Sequence, residues 1–205
     1  MREIKTAEDL RDLYGEPTEI SAKKAMPALD PHCMRFIELS PFVVLGTADG
    51  DGRCEVSPRG DAPGFVRVVS PTLIQIPDRI GNNRADSNLN IVANPNGSAI
   101  FFVPGLGETL RVRGPLRLLV DDELRTSFAS HGKAPRAILE MQIERVFFQC
   151  QKALIRSKLW DPETRADREA EGIPSLGAIF ADQIDGLARD RAEQIIESSN
   201  KDRLW

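Results

Sequence analysis

The chain has 205 residues, of which 41% are hydrophobic and 28% charged, and carries a net charge of -4 at pH 7. That is the composition of a soluble globular protein with enough length for one substantial core plus terminal extensions. The acidic balance excludes a general nucleic-acid binder, and no apolar run reaches the length of a membrane span. Met1-Arg2-Glu3-Ile4-Lys5 has no apolar signal core behind it, so the expected location is the cytoplasm. Cys33, Cys54 and Cys150 are widely spaced with no Cys-x-x-Cys pairing, which reads as reduced thiols. With only His32 and His131, beside Pro31 and Gly132, a histidine metal site is excluded and structural roles are expected for both.

In chain order, Thr6 is placed to cap a helix carrying Leu10, Leu13 and Tyr14, with Glu8 and Asp9 in its first turn. Asp30-Pro31 reads as N-cap and first residue of a helix through Leu39. From Pro41 the period changes to that of strands. Phe42–Thr47 and Arg53–Ser57 flank the turn residues 48–52 as a β-hairpin. Phe65–Val69 and Thr72–Pro77 form a second pair, with Pro77 expected to end the ladder.

A short helix is expected over Asn83–Ala93, with Leu89, Ile91 and Val92 facing the core, until Asn94-Pro95-Asn96-Gly97 breaks it. Strands resume at Ser98–Val103, Thr109–Gly114 and Pro115–Val120. An acidic helix start follows at Asp121-Asp122-Glu123, and Ile143–Cys150 is the last strand. Cys54 and Cys150 fall in these strands and read as buried small hydrophobes. Phe101 and Phe102 read as core, one of the pair facing outward. Beyond Pro162, Ile179, Phe180, Ile184, Leu187, Ile195 and Ile196 recur at helical spacing, which predicts an amphipathic helix against the body or a partner chain. The pattern predicts a mainly β, antiparallel barrel with peripheral helices, an α+β fold. Its divisions are a helical extension over 1–40, the barrel over 41–160 and a helical tail over 161–205.

Two arginine-bearing polar runs stand out. Ser57-Pro58-Arg59-Gly60-Asp61 follows the first hairpin, and Pro77-Asp78-Arg79-Ile80-Gly81-Asn82-Asn83-Arg84 leads into the mid-sheet helix. Each alone is ordinary: the first matches a solvated turn with an ion pair, the second a helix cap. Together on consecutive sheet elements they offer guanidinium groups and a helix N-terminus to one place, which is the chemistry that grips a phosphate and an adjoining heterocycle.

At these residues, from about Pro41 to Trp160, the chain resembles the pyridoxamine 5'-phosphate oxidase-like family of FMN-binding split β-barrels. The resemblance rests on the Asp-Gly hairpin, the polar strand after it, the helix opened by amide and basic residues, Asn94-Pro95, the strand Arg111-Val112-Arg113-Gly114, and Cys150 through Trp160. It departs at Ser57–Ala62, where the oxidase itself has a basic, aliphatic, lysine-ended segment, so pyridoxamine phosphate is not the expected substrate.

By position, the resemblance implies a phosphate clamp at Asn82, Asn83 and Arg84, with Arg59 and Arg79 as further donors. The ring edge is implied to lie against Val56, Ser57, Pro58 and the strand end Gln75-Ile76-Pro77-Asp78. It also implies a homodimer with flavin sites at the subunit interface, where Arg111, Arg113, Lys152, Arg156 and Trp160 would close the pocket from the partner subunit. The implied function is an FMN-dependent oxidoreductase acting on a small or planar substrate, with a reduced nicotinamide, NAD(P)H, as donor. Three readings stand beside it: a non-catalytic FMN carrier, a barrel that holds deazaflavin or haem, and a cofactor-free interaction module.

Overall fold

The computed structural model describes residues 1–81 and 83–203. Three helices precede the sheet: α1 (Ala7–Tyr14), α2 (Glu19–Lys23) and α3 (Pro31–Leu39). Thr6 accepts from the Asp9 N–H and Asp30 from the Cys33 N–H, the capping that the sequence predicts. α3 buries Cys33, Phe36 and Ile37. Phe36 meets Phe148 edge-on, the ring centroids 5.4 Å apart.

The sheet opens with the hairpin β1 (Phe42–Ala48) and β2 (Cys54–Gly60), followed by β3 (Arg67–Ser70) and β4 (Leu73–Asp78). The inserted helix α4 (Asp86–Ala93) leads to β5 (Asn96–Phe102) and β6 (Thr109–Leu119). A short α5 (Asp122–Thr126) precedes β7 (Ala137–Gln142) and β8 (Arg145–Gln149). The chain ends in α6 (Lys152–Ser157), α7 (Leu176–Gln183) and α8 (Arg189–Asp202). No helix among the described residues is long and apolar enough to cross a membrane.

Neighbouring strands run antiparallel in the order β2-β1-β5-β6-β7-β4-β3, with β8 also on β6. The sheet does not close on itself, so the molecule is an α+β split barrel. Its split originates in β6. Thr109–Arg113 pairs with β8, and Leu116–Leu119 pairs with β7. Gly114 lies between the two halves, and a Cβ there would sit 1.8 Å from the Gln142 carbonyl oxygen. Only glycine lets β7 leave the sheet at that point. The core gathers on the inner face from Val43, Leu45, Ile74, Ile76, Phe101, Leu110, Val112, Leu139, Met141 and Val146.

Several expectations are corrected. β7 was not anticipated, because Ala137–Glu140 and Met141 are all buried and the run has no polar alternation to betray a strand. Thr109–Leu119 is one strand rather than two. Pairing continues through Pro77, which lies opposite Ile138. β3 reaches only to Gln75, so Pro77 occupies an edge that needs no N–H donor there.

The inserted helix begins at Asp86, not Asn83, and Leu89 and Val92 are exposed at 65% and 78%. α4 is seated instead by Ile91 and by a polar bond in which buried Asn90 donates to Thr47 Oγ1 at 3.1 Å. The tail forms two helices, α7 and α8, where one was expected. Phe101 is buried and its neighbour Phe102 only partly so.

Cys54 and Cys150 are exposed rather than buried, since β2 is an edge strand and Cys150 follows the end of β8. The Cys33 thiol is pushed up to about 12, chiefly by burial. That of Cys150 is lowered, chiefly by the Lys152 backbone N–H. A thiol reagent at neutral pH is therefore expected to label Cys150 first and Cys54 next, with Cys33 labelled only on unfolding; early labelling of Cys33 would contradict its burial. Gly114→Ala is expected to lower stability by about 2–3 kcal/mol through overpacking, read from urea denaturation.

Candidate functional site

The open side of the barrel brings the end of β2, at one edge of the sheet order, to the end of β4, second from the other edge and beyond the reach of β3. Two ion pairs span this seam in reciprocal sense. Arg59 Nη1 donates to Asp78 Oδ1 at 2.8 Å, and Arg79 Nε donates to Asp61 Oδ2 at 2.9 Å. Asp61 and Asp78 side chains are only 4% and 11% exposed, so neither pair is the solvated surface contact that the motif alone suggests. Arg79 Nη1 also donates to the Phe128 carbonyl at 2.8 Å, and Asn88 Nδ2 to Asp78 Oδ2 at 2.9 Å. Asp78 thus holds a strand on one side and a helix on the other.

Beside the seam opens a cleft of about 260 Å³ lined by Glu55, Val56–Arg59, Asp78, Arg79, Gly81, Asn83–Asn88 and Arg136. One wall is the turn into α4, where Asn83 and Ala85 are left-handed with φ of 64° and 57°. Each such residue costs about 1–2 kcal/mol, less for asparagine. The strain sets the start of the helix against the cleft. Ala85 is the N-cap and has no side chain to accept from the first-turn N–H groups, so the helix start presents donors on the side of the cleft.

Two further atoms await partners. Among the described residues, Arg59 Nε and Asn88 Oδ1 are buried without a hydrogen-bond partner. The Asn88 amide is orientated by Asp78, since a carboxylate only accepts, so its oxygen is the free end. A buried unpaired group of this kind costs about 1–3 kcal/mol, which a ligand of matching polarity would recover.

The structure brings together Val56, Ser57, Pro58, Arg59, Asp78, Arg79, Asn83 and Arg84 at this cleft. Arg84 Nε donates to Asp86 at 2.8 Å, and this carboxylate, through the hydrogen bond first and its charge second, holds the guanidinium more firmly protonated. Asn82 lies outside the described residues.

Gln75, Ile76 and Pro77 do not line the cleft. All three are buried, and Gln75 Nε2 donates to the buried Glu140 carboxylate at 2.7 Å. Arg111, Arg113, Lys152, Arg156 and Trp160 also lie outside the cleft of their own chain. Arg111 stacks over Phe147 and Trp160 Nε1 donates to the Leu106 carbonyl at 2.8 Å. Lys152 and Arg156 are exposed on α6.

Sequence reasoning missed Asn88 and Arg136. Asn88 was hidden inside the helix. Arg136 precedes the unrecognised β7 and reaches the cleft because its N–H donates to the Asp78 carbonyl at 3.0 Å. Among the described residues its guanidinium makes no ion pair, whereas Arg59, Arg79 and Arg84 each face a carboxylate.

A family model described as pyridoxamine 5'-phosphate oxidase matches residues 29–150, more than half of the chain. The chain belongs to that family. No curated protein matches it.

Among solved structures, it is similar to HupZ of Group A Streptococcus at 15% identity, over 60% of this chain and 94% of that one, with a TM-score of 0.49. It is similar to a candidate pyridoxamine 5'-phosphate oxidase of Lactobacillus delbrueckii at 21% identity, over 60% and 95%, with a TM-score of 0.46. A pyridoxamine 5'-phosphate oxidase-related, FMN binding protein of Nostoc punctiforme is similar at 15% identity, over 61% and 87%, with a TM-score of 0.39.

Asp61→Ala is expected to cost about 3 kcal/mol, because it leaves the Arg79 charge buried without its carboxylate. Chemical denaturation reads the loss, and a change below about 1 kcal/mol would show that the seam is not held by this pair.

Proposed function

We propose that this chain is an FMN-dependent oxidoreductase acting on a small or planar substrate, with its cofactor in the cleft between β2, the end of β4 and the start of α4. The observation that carries the reading is a single cleft combining four arginines, an uncapped helix start and two buried unpaired polar atoms. The residues fit the group. Arg84, Asn83, the first N–H groups of α4 and the unpaired Arg136 are suited to a phosphate. Arg59 Nε offers a donor and Asn88 Oδ1 an acceptor, the polarity of a heterocycle rim with adjacent carbonyl and N–H groups. Val56 and Pro58 supply apolar contact to a flat ring.

FMN supplies hydride or electron transfer when bound, and the protein's part is orientation, electrostatics and exclusion of water. The Arg59 guanidinium, fixed by Asp78, would favour negative charge on a reduced ring.

We further propose that the working form is a homodimer. A cleft of about 260 Å³ falls below the range of roughly 300–1,000 Å³ that encloses a drug-sized ligand, so one chain alone leaves such a cofactor partly uncovered. Exposed Val56, Leu89 and Val92 give apolar surface on the elements that wall the cleft, suited to a second copy. Arg111, Arg113, Lys152, Arg156 and Trp160, outside their own cleft, are the residues we propose to close that of the other subunit. Three free cysteines support a reducing compartment, and we place the protein in the cytoplasm.

The purified protein is expected to show the two flavin absorbance bands in the near ultraviolet and blue, and to oxidise NAD(P)H with an added acceptor. A colourless protein that takes up no FMN, or a haem or deazaflavin spectrum, would overturn the cofactor assignment; flavin without turnover in that assay would leave a carrier. Arg84→Ala and Arg136→Ala are each expected to weaken FMN binding roughly tenfold or more, as loss of a charged hydrogen bond does. Unchanged flavin content in both variants would show the phosphate to lie elsewhere.

A further inference from the structure

Residues 151–205 lie outside the family match, yet the end of the C-terminal helix reaches the mouth of the cleft. Arg203 Nη2 donates to the carbonyl of Gly81, a residue of the cleft wall, at 2.7 Å. One residue earlier, the Asp202 carbonyl accepts from Lys133 Nζ at 3.3 Å, and Lys133 stands just before Arg136 of the same cleft. The end of α8 therefore joins the two segments, one after β4 and one before β7, that carry the cleft's anion-seeking groups. The lysine also sets a cation on the negative end of the helix.

The helix is braced for such a role. Gly177 of α7 lies so close to α8 that a Cβ would fall 2.5 Å from Glu193 Oε2 and 2.8 Å from the Glu193 backbone nitrogen. Ser175, the N-cap of α7, donates to the same carboxylate, and Ala178 and Ala192 are each 2% exposed. α7 and α8 thus form a tight pair, the first fixing the second.

The cleft wall needs this support. Asn83 and Ala85 are left-handed, and conformations of that kind persist only where the surroundings over-determine them. The helix start at Ala85 has no side-chain cap to do so. The Arg203 bond supplies a restraint from 122 residues away in sequence.

We propose that Arg203 is a positioning residue, through which the C-terminal hairpin, by its bond to Gly81, sets the Asn83–Ala85 turn so that its donors meet the anionic end of the ligand. The inference deepens the cofactor assignment above and rests on its phosphate placement. It predicts a division between FMN and riboflavin, which share the ring and differ in the phosphate.

The test uses the full chain with Arg203→Ala, Arg203→Lys and Lys133→Ala, compared by hydrogen exchange without ligand and by affinity for FMN and riboflavin. In Arg203→Ala, amide exchange at Gly81 and across the Asn83–Ala85 turn should quicken several-fold. FMN affinity should fall roughly tenfold while riboflavin affinity stays within about twofold. Arg203→Lys, which keeps one donor, should recover most of both effects, and Lys133→Ala should shift them the same way to a smaller extent. Unchanged exchange in both alanine variants overturns the proposal. An equal loss of FMN and riboflavin also overturns it, because the helix would then cover the ring rather than set the turn. A wild-type chain that binds neither flavin defeats the cofactor assignment instead, and the exchange measurement still decides whether the hairpin sets the turn.

Discussion

Two reciprocal ion pairs across the open side of the barrel, Arg59 with Asp78 and Asp61 with Arg79, are the constraint on which the site depends. A sheet that does not close leaves unpaired backbone, and here the gap between β2 and the end of β4, past the reach of β3, is spanned by side-chain charge rather than by a backbone ladder. The signs alternate along each element, positive then negative at the end of β2, negative then positive at the end of β4. An exchange of partners would set arginine against arginine and carboxylate against carboxylate in a half-dry setting, so the pairs specify which residues meet. Their net stabilisation is modest, since desolvation offsets much of the attraction. Their geometric effect is larger: they leave a cleft, rather than a filled core, at the point where the strands part.

The cleft is assembled from groups that each give up something in stability. Asn83 and Ala85 carry backbone strain, Arg59 Nε and Asn88 Oδ1 are buried without partners, and α4 begins without a cap. Thr6, Asp30, Asp121 and Ser175 cap their helices by side-chain oxygen, whereas α6 and α8 share with α4 the lack of a side-chain cap, and His131 and Lys158 are left-handed away from the cleft. What sets the cleft apart is that strain, a bare helix start and both buried unpaired atoms coincide there, and polar groups satisfied internally would have nothing left to offer a ligand. Asp78 is the hub, holding Arg59 and Asn88 through its side chain and Arg136 through its backbone carbonyl.

How much of this was legible varied with the physical signal. The first hairpin, the caps of α1 and α3 and the inserted helix were readable because turn residues, cap residues and periodicity are local. β7 was not readable, since a strand buried on both faces shows no alternation. Leu89 and Val92 were assigned to the core by their apolar character, but the helix turns Ser87, Asn90 and Ile91 inward instead and leaves them exposed. Gln75 was placed at the ring by its position near a strand end. Its side chain points to the other face of the sheet, to Glu140, because strand neighbours alternate faces.

By itself, the amino-acid order determined which segments form strands and helices where the pattern is local, and it marked the two arginine-bearing runs that meet at the cleft. Only the tertiary structure decided that these runs are joined by crossed ion pairs, that Asn88 and Arg136 belong with them, and that Arg203 reaches back to Gly81. The reason is one of range. Capping, turns and amphipathic periodicity act over a few residues and are written in their order, whereas a charge pair across an open barrel or a guanidinium on a distant carbonyl exists only once the chain has closed the distance.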